Sequence, residues 1–332
     1  MNKHGFRYCK NCHSRLQKRG LTAAGTQRWL CLKCGVSSSK ARDDLARQFM
    51  FEKFIYWLLG KDSQTELSED LGYSSRGFRR HIDWCWQVPV PEVLTGEINP
   101  VLILDGIRIA GGVCLIARTR EFVVAWTWAE TESSVSWSEL LLTLPAPKYV
   151  VCDGQKGILK ALSICWPNTL IQRCQFHVRQ NIRTKLTLNP ETEAAKELAE
   201  LMRYLRYAYT AKLAARWVAS FYELQNKHRV FLAERTLAVD LKSGGKKWWY
   251  THGRDRSAYR QIRTLIEAGD LFRFTQNSRV PRTTNDLEGG TNSQLKRAAG
   301  LHRGMIPEHQ KVLVNWWLYY ETEGQKPPRF VL

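Results

Sequence analysis

VLILDG (Val101–Gly106) and YVVCDG (Tyr149–Gly154) are two short apolar runs that each close on Asp-Gly. Short continuous apolar runs bounded by turn residues read as buried strands. A carboxylate at the end of a buried strand stands at the rim of a sheet. Two such rims side by side bring two negative charges together, which is costly unless a divalent cation neutralises them. A third carboxylate, Glu288, lies far downstream in TTNDLEGG (Thr283–Gly290). The formal charge of +19 makes a phosphodiester the natural substrate of such a cation.

Outward from these strands the pattern extends in both directions. Strand character runs over Val101–Ala110, turns at Gly111-Gly112, and resumes over Val113–Ala117 and Glu121–Trp128. A helix follows over Ser133–Leu144, then strand Lys148–Cys152, helix Gly154–Cys165 and strand Thr169–Arg173. Three antiparallel strands followed by alternating helix and strand define an α/β class and resemble the order of ribonuclease-H-like folds. From about His177 to Asp270 the chain, rich in Ala, Leu, Lys, Arg and Glu, reads as nearly all helical. A polar loop leads to Asn285, and the last helices include Lys311–Tyr320. The expected organisation is a zinc ribbon (1–40), a helix-turn-helix (41–88), a first part of the core (98–185), an all-helical insertion (186–280) and a completion of the core (281–332).

Cys9-x-x-Cys12 and Cys31-x-x-Cys34 are separated by 18 residues, the spacing of a four-thiolate structural zinc site. Each pair supplies two thiolates from one tight turn, and Gly35 permits the second. A segment this small cannot stabilise itself by burial, so the metal holds it folded. Beyond it, apolar residues recur at Leu45, Phe49, Ile55, Leu58 and Leu59 on one helix face. Ser63-x-x-Glu66 is a capping box for a second helix, and Ser74 or Ser75 caps a third. The third presents Phe78, Ile82 and Trp86 on one side and Arg76, Arg79 and Arg80 on the other. Two short helices about a Gly-containing turn fit a helix-turn-helix, and equally a small bundle with a solvated basic face.

The acidic positions each carry a bland alternative. Asp-Gly is a hairpin-turn signal, although for Asp105 Gly111-Gly112 makes the better turn. Asp153 also reads as the N-cap of the helix that follows. With Asn285 as N-cap, Glu288 closes a capping box, yet Gly289-Gly290 are poor helix formers and imply close approach of a backbone or a nucleic acid. Cys174 and His177 fit half a zinc site, or a core histidine beside a buried thiol.

Taken together, LDG, CDG followed by Cys174-Gln175-Phe176-His177, and TNDLEGG resemble the Mutator-like bacterial insertion-sequence transposases of the DDE class. The likeness covers most of the chain. It implies Asp105, Asp153 and Glu288 as a catalytic triad, with Cys174 and His177 as the family's Cys-x-x-His signature. Arg173, just before that signature, is a candidate DNA contact facing the same groove. Two Mg²⁺ (or Mn²⁺) ions roughly 3.5–4 Å apart would be held by the triad, with Asp105 bridging them. Water cleaves the donor and the freed 3′-hydroxyl joins it to a target; no covalent enzyme intermediate is needed. The expected partners are double-stranded DNA, as element ends and target, and a second copy of the chain or more.

KKWWYTHGRDR (Lys246–Arg256) interleaves aromatics with cations, so Lys246, Lys247, Trp248, Arg256 and Arg260 are candidate DNA contacts. Arg263 shares the helical face of the last two, and Trp248 and Trp249 fit core packing as well. His302 and Arg303 read as phosphate contacts or as solvated; Trp316, Trp317 and Tyr320 read as core.

Composition bounds the rest. With 332 residues, 44% hydrophobic and 13 Trp, the chain buries a large core in two or more domains. Lys and Arg outnumber Asp and Glu by 50 to 31, which predicts salt-sensitive binding to a polyanion. Nine cysteines with one double pair suit a reducing compartment. No apolar run spans a bilayer, so the expectation is a soluble, cytoplasmic, nucleoid-associated protein without membrane contact. Two rival functions share many of these features: a nuclease that cuts without joining, and a zinc-ribbon DNA-binding regulator without catalysis.

Overall fold

The computed structural model describes residues 8–9, 11–23, 25–39, 43–91, 93, 96–237, 248–284, 286–302 and 304–325, the side chains of 43–46 and 286–288 lying outside the description. The chain forms two compact units. One comprises Met1–Pro91 with Arg297–Leu332, the other Glu92–Lys296.

The first unit begins with an antiparallel sheet of β1 (Leu16–Leu21), β2 (Gln27–Cys31) and β3 (Ser37–Ser38). Its core is small, formed by Cys9, Leu16, Trp29 and Cys31. Both knuckle turns need left-handed backbone, at His13 (φ 54°) and at Gly35 (φ 72°). Helix α1 (Asp43–Leu59) follows, then α2 (Gln64–Asp70) and α3 (Ser75–Ile82). The capping box at Ser63 and Glu66 closes both ways, with bonds of 3.1 and 2.7 Å. Ser74 caps α3, Gly72 turns between the helices at φ 68°, and Phe78 and Ile82 are buried. Trp86 lies on the 3₁₀ turn after α3, stacked on His309.

In the second unit a five-stranded sheet is built from β4 (Val101–Ile109), β5 (Gly112–Arg118), β6 (Val123–Ala129), β7 (Tyr149–Cys152) and β8 (Leu170–Arg173). Helix α4 (Ser134–Leu142) joins β6 to β7, and α5 (Lys156–Cys165) joins β7 to β8. The order is β6-β5-β4-β7-β8, antiparallel through β4 and parallel from β4 to β8. The β4–β5 turn has Ala110 and Gly111 at its centre, with φ of 53° and 72°. Two consecutive positive φ angles are the two-residue hairpin turn whose twist matches the strands. The turn is therefore one residue earlier than Gly111-Gly112, and Gly112 starts β5. Alternate residues of the central strands (Leu102, Leu104, Leu115, Ala117, Val150, Cys152) pack against Trp137 and Leu140–Leu141 of α4 and Ile158, Ala161 and Leu162 of α5. The pleat turns Asp105 to the opposite face.

After β8 come α6 (Gln175–Leu186), α7 (Glu193–Tyr204), α8 (Ala211–Lys227) and α9 (Arg229–Ala233). The region is not all helical: β9 (Arg235–Leu237) and β10 (Trp248–Tyr250) form an antiparallel pair before α10 (Gly253–Glu267). Each strand has three residues, too short to show a period-two pattern. The helices close around Ile182, Leu198, Trp217, Phe221, Tyr259 and Ile262. A π-helical segment, Asp286–Asn292, leads into α11 (Ser293–Leu301).

The chain ends in the first unit with α12 (Pro307–Tyr320), whose Trp316 meets Phe51 of α1 edge-on at 5.2 Å. Trp316 is buried as expected of core. His302 is half-buried, and its Nε2 bonds the Leu58 carbonyl at 3.0 Å.

Candidate active site

The parallel pairing of β4 with β7 sets Leu102 against Val150 and Ile103 against Val151. Carried two residues further, that register brings Asp105 level with Asp153. Asp105 lies within β4, buried at 9% exposure, and its Oδ2 accepts from Nδ2 of Asn292 at 2.9 Å. It is not a hairpin residue, since β4 continues through Ile109.

Asp153 follows β7 directly. The N-cap of α5 is Gln155, not Asp153, and the Asp153 Oδ1 accepts from the Gln155 amide at 2.9 Å. Between them Gly154 has φ 76°, and a Cβ there would meet the Arg173 guanidinium at 1.7 Å. Arg173, buried at the end of β8, donates Nη2 and Nε to the Asp153 carbonyl at 2.9 and 3.3 Å. The Asp-Gly turn is thus held by a cation lying where a side chain would be.

Cys174 begins α6, and its own amide bonds the Cys152 carbonyl at 2.8 Å. Its thiol accepts from the amide and hydroxyl of Thr284 at 3.3 and 3.4 Å. Burial pushes this thiol up, but hydrogen bonds from His177 and Thr284 outweigh it, leaving the group below its ordinary value. The Gln175 amide bonds the Arg282 carbonyl at 2.9 Å. Cys174 therefore ties the sheet to the segment that carries Glu288. At the far end of that segment Arg118 of β5, also buried, donates Nη1 to the buried Thr291 hydroxyl. Glu288 itself lies in the π-helical segment, with its side chain outside the described residues. Among the described residues, a Cβ on Gly289 would meet no heavy atom within 4 Å and one on Gly290 only Arg118 Nη1 at 4.0 Å, so no described backbone outside their own helix crowds them.

Glu132 is a carboxylate that pattern reading misses. A Cβ on Gly106 would lie 2.7–3.0 Å from its carboxyl atoms, and one on Gly157 would lie 2.3 Å from its carbonyl oxygen. Two glycines thus make room for it beside the strand ends. Burial and then the Asp153 charge raise its pKa, with Arg108 and His177 opposing. It stands in a connection just ahead of the Ser133 cap of α4, with no periodicity to mark it; the small residues facing it are the only signal.

In the first unit the ligand sulfurs of Cys9, Cys12, Cys31 and Cys34 all lie within 4.8 Å of one another, with Cys9–Cys34 at 3.3 Å and Cys12–Cys31 at 3.4 Å. Tetrahedral zinc with Zn–S bonds of about 2.3 Å needs sulfurs about 3.8 Å apart. The cluster fits a zinc ion. Among the described residues it is the one group of three or more metal-ligating side chains this compact.

The expected DNA contacts divide. Arg76, Arg79 and Arg80 are exposed on α3, with Arg79 Nε on Gln64 at 2.8 Å. Trp248 and Trp249 are exposed, not core, and Arg235 lies over Trp248 at 4.1 Å. Arg260 is exposed, whereas Arg256 stacks on Tyr250 at 3.7 Å and donates to the Leu232 carbonyl at 3.0 Å. Lys246, Lys247 and Arg303 lie outside the described residues. No helix of the described residues is long and apolar enough to cross a membrane.

An aspartate in mid-strand on β4, a second just past the end of β7, and the buried Cys174 with the half-buried His177 on α6 mark the candidate site of this α/β domain. Residues 104–233 match the family described as “Transposase, Mutator family”. Asp105, Glu132, Asp153, Cys174 and His177 lie inside the match and Glu288 beyond it. The chain is 30% identical over 106 residues to a transposase for an insertion sequence element of Mycolicibacterium smegmatis, covering 30% of each protein. It is 23% identical over 229 residues to a probable transposase for an insertion sequence element of Corynebacterium diphtheriae, covering 66% of this chain and 58% of that one. The chain thus spans about a third and somewhat over half of these two relatives.

Proposed function

We propose that the protein is a DNA transposase of the DDE class, acting on the ends of an insertion sequence by metal-dependent strand cleavage and strand transfer. The observation that carries this reading is the β4–β7 register, which aligns Asp105 with Asp153 within the residues that match Mutator-family transposases. In the proposal the mixed sheet is the centre of a ribonuclease-H-like core, with Asp105, Asp153 and Glu288 as metal ligands. The donor set fits Mg²⁺ or Mn²⁺: carboxylate oxygens, with a buried amide oxygen of Asn292 that has no hydrogen-bond partner among the described residues. Two such ions, when bound, supply an activated hydroxyl and stabilise the charge of an in-line displacement at phosphorus.

The chain's own residues prepare that chemistry. Asn292 orients the Asp105 carboxylate, and the Gln155 amide holds one oxygen of Asp153. Arg173 fixes the turn behind Asp153, while Cys174 and Arg118 tether the Glu288 segment at both ends. Arg76, Arg79 and Arg80 on a helix-turn-helix, together with Lys246, Lys247, Trp248, Arg256, Arg260 and Arg303, form the DNA contacts of this reading. A structural zinc in the four-cysteine ribbon steadies end recognition, and synapsis of two ends calls for a homodimer at least.

The test is to prepare Asp105→Asn, Asp153→Asn and Glu288→Gln and to assay binding and cleavage of end-containing duplex with Mg²⁺. All three variants are expected to bind DNA and to lose cleavage by about 10³-fold or more. Wild-type cutting by any of them removes that residue from the site. Cleavage by the wild type without a joined 3′ end would make the protein a nuclease instead.

A further inference from the structure

We propose that Asn292 is a positioning residue for Asp105 and lends its own carbonyl oxygen to the cation's ligand or hydration shell; this rests on the metal-dependent reading above. The two residues are 187 apart in sequence and meet at 2.9 Å, Nδ2 of Asn292 on Oδ2 of Asp105. Both are buried, at 7% and 9% exposure. A carboxylate only accepts, so the amide nitrogen must face it, and this bond fixes which way the Asn292 amide points. The donor carries no charge. It sets the rotation of the carboxylate without neutralising it, where Lys or Arg would compete with a cation for Asp105.

The other end of the same amide supplies the second observation. Asn292 Oδ1 is buried and has no hydrogen-bond partner among the described residues. Buried side-chain oxygens are nearly always satisfied, and one that is not requires an explanation. A neutral oxygen fixed beside a carboxylate is the donor type that Mg²⁺ or Mn²⁺, or water bound to them, accepts. Docking of the segment has other sources. Its neighbour Thr291 is held by Arg118, and Thr284 is held by Cys174. Asn292 is thus the one of these tethers that ends on a candidate metal ligand.

The experiment titrates Mn²⁺ into the full chain without DNA, by calorimetry, and follows thermal melting in parallel. Asn292→Ala is expected to weaken Mn²⁺ binding by about 10–100-fold, the usual effect of removing a group that orients a ligand. Thr291→Val, which removes the adjacent tether, is expected to lower the melting temperature and to weaken Mn²⁺ binding less than Asn292→Ala does. A folded Asn292→Ala protein with wild-type affinity overturns the inference. Asn292→Asp covers the case in which the alanine variant does not fold. It sets a second carboxylate against Asp105, so Mn²⁺ should raise its melting temperature more than it raises that of the wild type; an equal or smaller rise also overturns the inference. Asp105→Asn separates the two levels of argument. Loss of Mn²⁺ binding there with retention in Asn292→Ala sinks the role of Asn292 alone, whereas retention in both sinks the metal site itself.

Discussion

Asp270 shows how a single side chain near the acidic rim feels its surroundings. Its carbonyl accepts the Arg173 amide at 2.7 Å, so it stands where the helical region returns to β8. Burial pushes its carboxyl up to about 6, against the pull of Arg273 and Arg173. The folded chain therefore holds this proton more tightly than the unfolded chain does. Its ionisation costs stability as pH rises from the ordinary carboxylate range through about 6, and the cost disappears in acid. Asp270→Asn removes that cost. Solvent screening of the partly exposed carboxyl weakens the effect, so the variant is expected to exceed the wild type by about 1 kcal/mol at about pH 8 and to match it near pH 4. Denaturant unfolding at the two pH values checks this. Equal differences at both would mean that the carboxyl does not titrate in this window. Glu132 is shifted in the same direction, by burial first and by Asp153 second, and belongs to the same electrostatic neighbourhood.

At the scale of elements, the Asp153 site is a strand end, a left-handed turn and a helix start working as one device. Gly154 is indispensable to it on two counts, a φ of 76° and the Arg173 guanidinium that fills the space a Cβ would take. Left-handed backbone costs an L-residue roughly 1–2 kcal/mol, and displacing Arg173 adds the loss of its bonds to the Asp153 carbonyl. Gly154→Ala is expected to destabilise the second unit by about 2–4 kcal/mol. Denaturant unfolding of the full chain measures it, and a loss below 1 kcal/mol would mean that Arg173 moves aside freely. The element pattern was readable where physics repeats. Apolar runs marked β4 and β7, and serine caps marked α2 and α3 to within a residue or two. What escaped lacks such periodicity. The β9–β10 pair is short and largely exposed, its tryptophans out in solvent with Arg235 over one of them. The Glu288 segment read as a capping box or a close approach, yet it is π-helical, and its contacts come from Thr284, Thr291 and Asn292, at positions that no sequence spacing singles out. Glu132 was invisible because its partners, Gly106 and Gly157, are far from it in sequence and marked only by what they lack.

Across the whole molecule the excess of positive charge, +19, overstates the surface available to a polyanion. Two arginines are committed inside. Arg118 and Arg173 are buried and donate to Thr291 and to the Asp153 carbonyl. Arg76, Arg80 and Arg260 are exposed. The two groups should separate in a salt titration of DNA binding. Each arginine that meets a phosphate contributes about 0.9 to the slope of log affinity against log salt, because its contact releases condensed counterions. Arg76→Ala and Arg80→Ala are each expected to lower the magnitude of that slope by about 0.9 and to weaken binding to end-containing and unrelated duplexes alike. Arg173→Ala should leave the slope unchanged and lower the melting temperature instead, since its guanidinium already has acceptors within the fold. Affinity measured on a fixed duplex over a series of salt concentrations, beside a melting curve for each variant, decides the matter. A slope that stays at the wild-type value in Arg76→Ala and Arg80→Ala would remove α3 from the DNA-binding surface, and the recognition of element ends would have to be sought on another face.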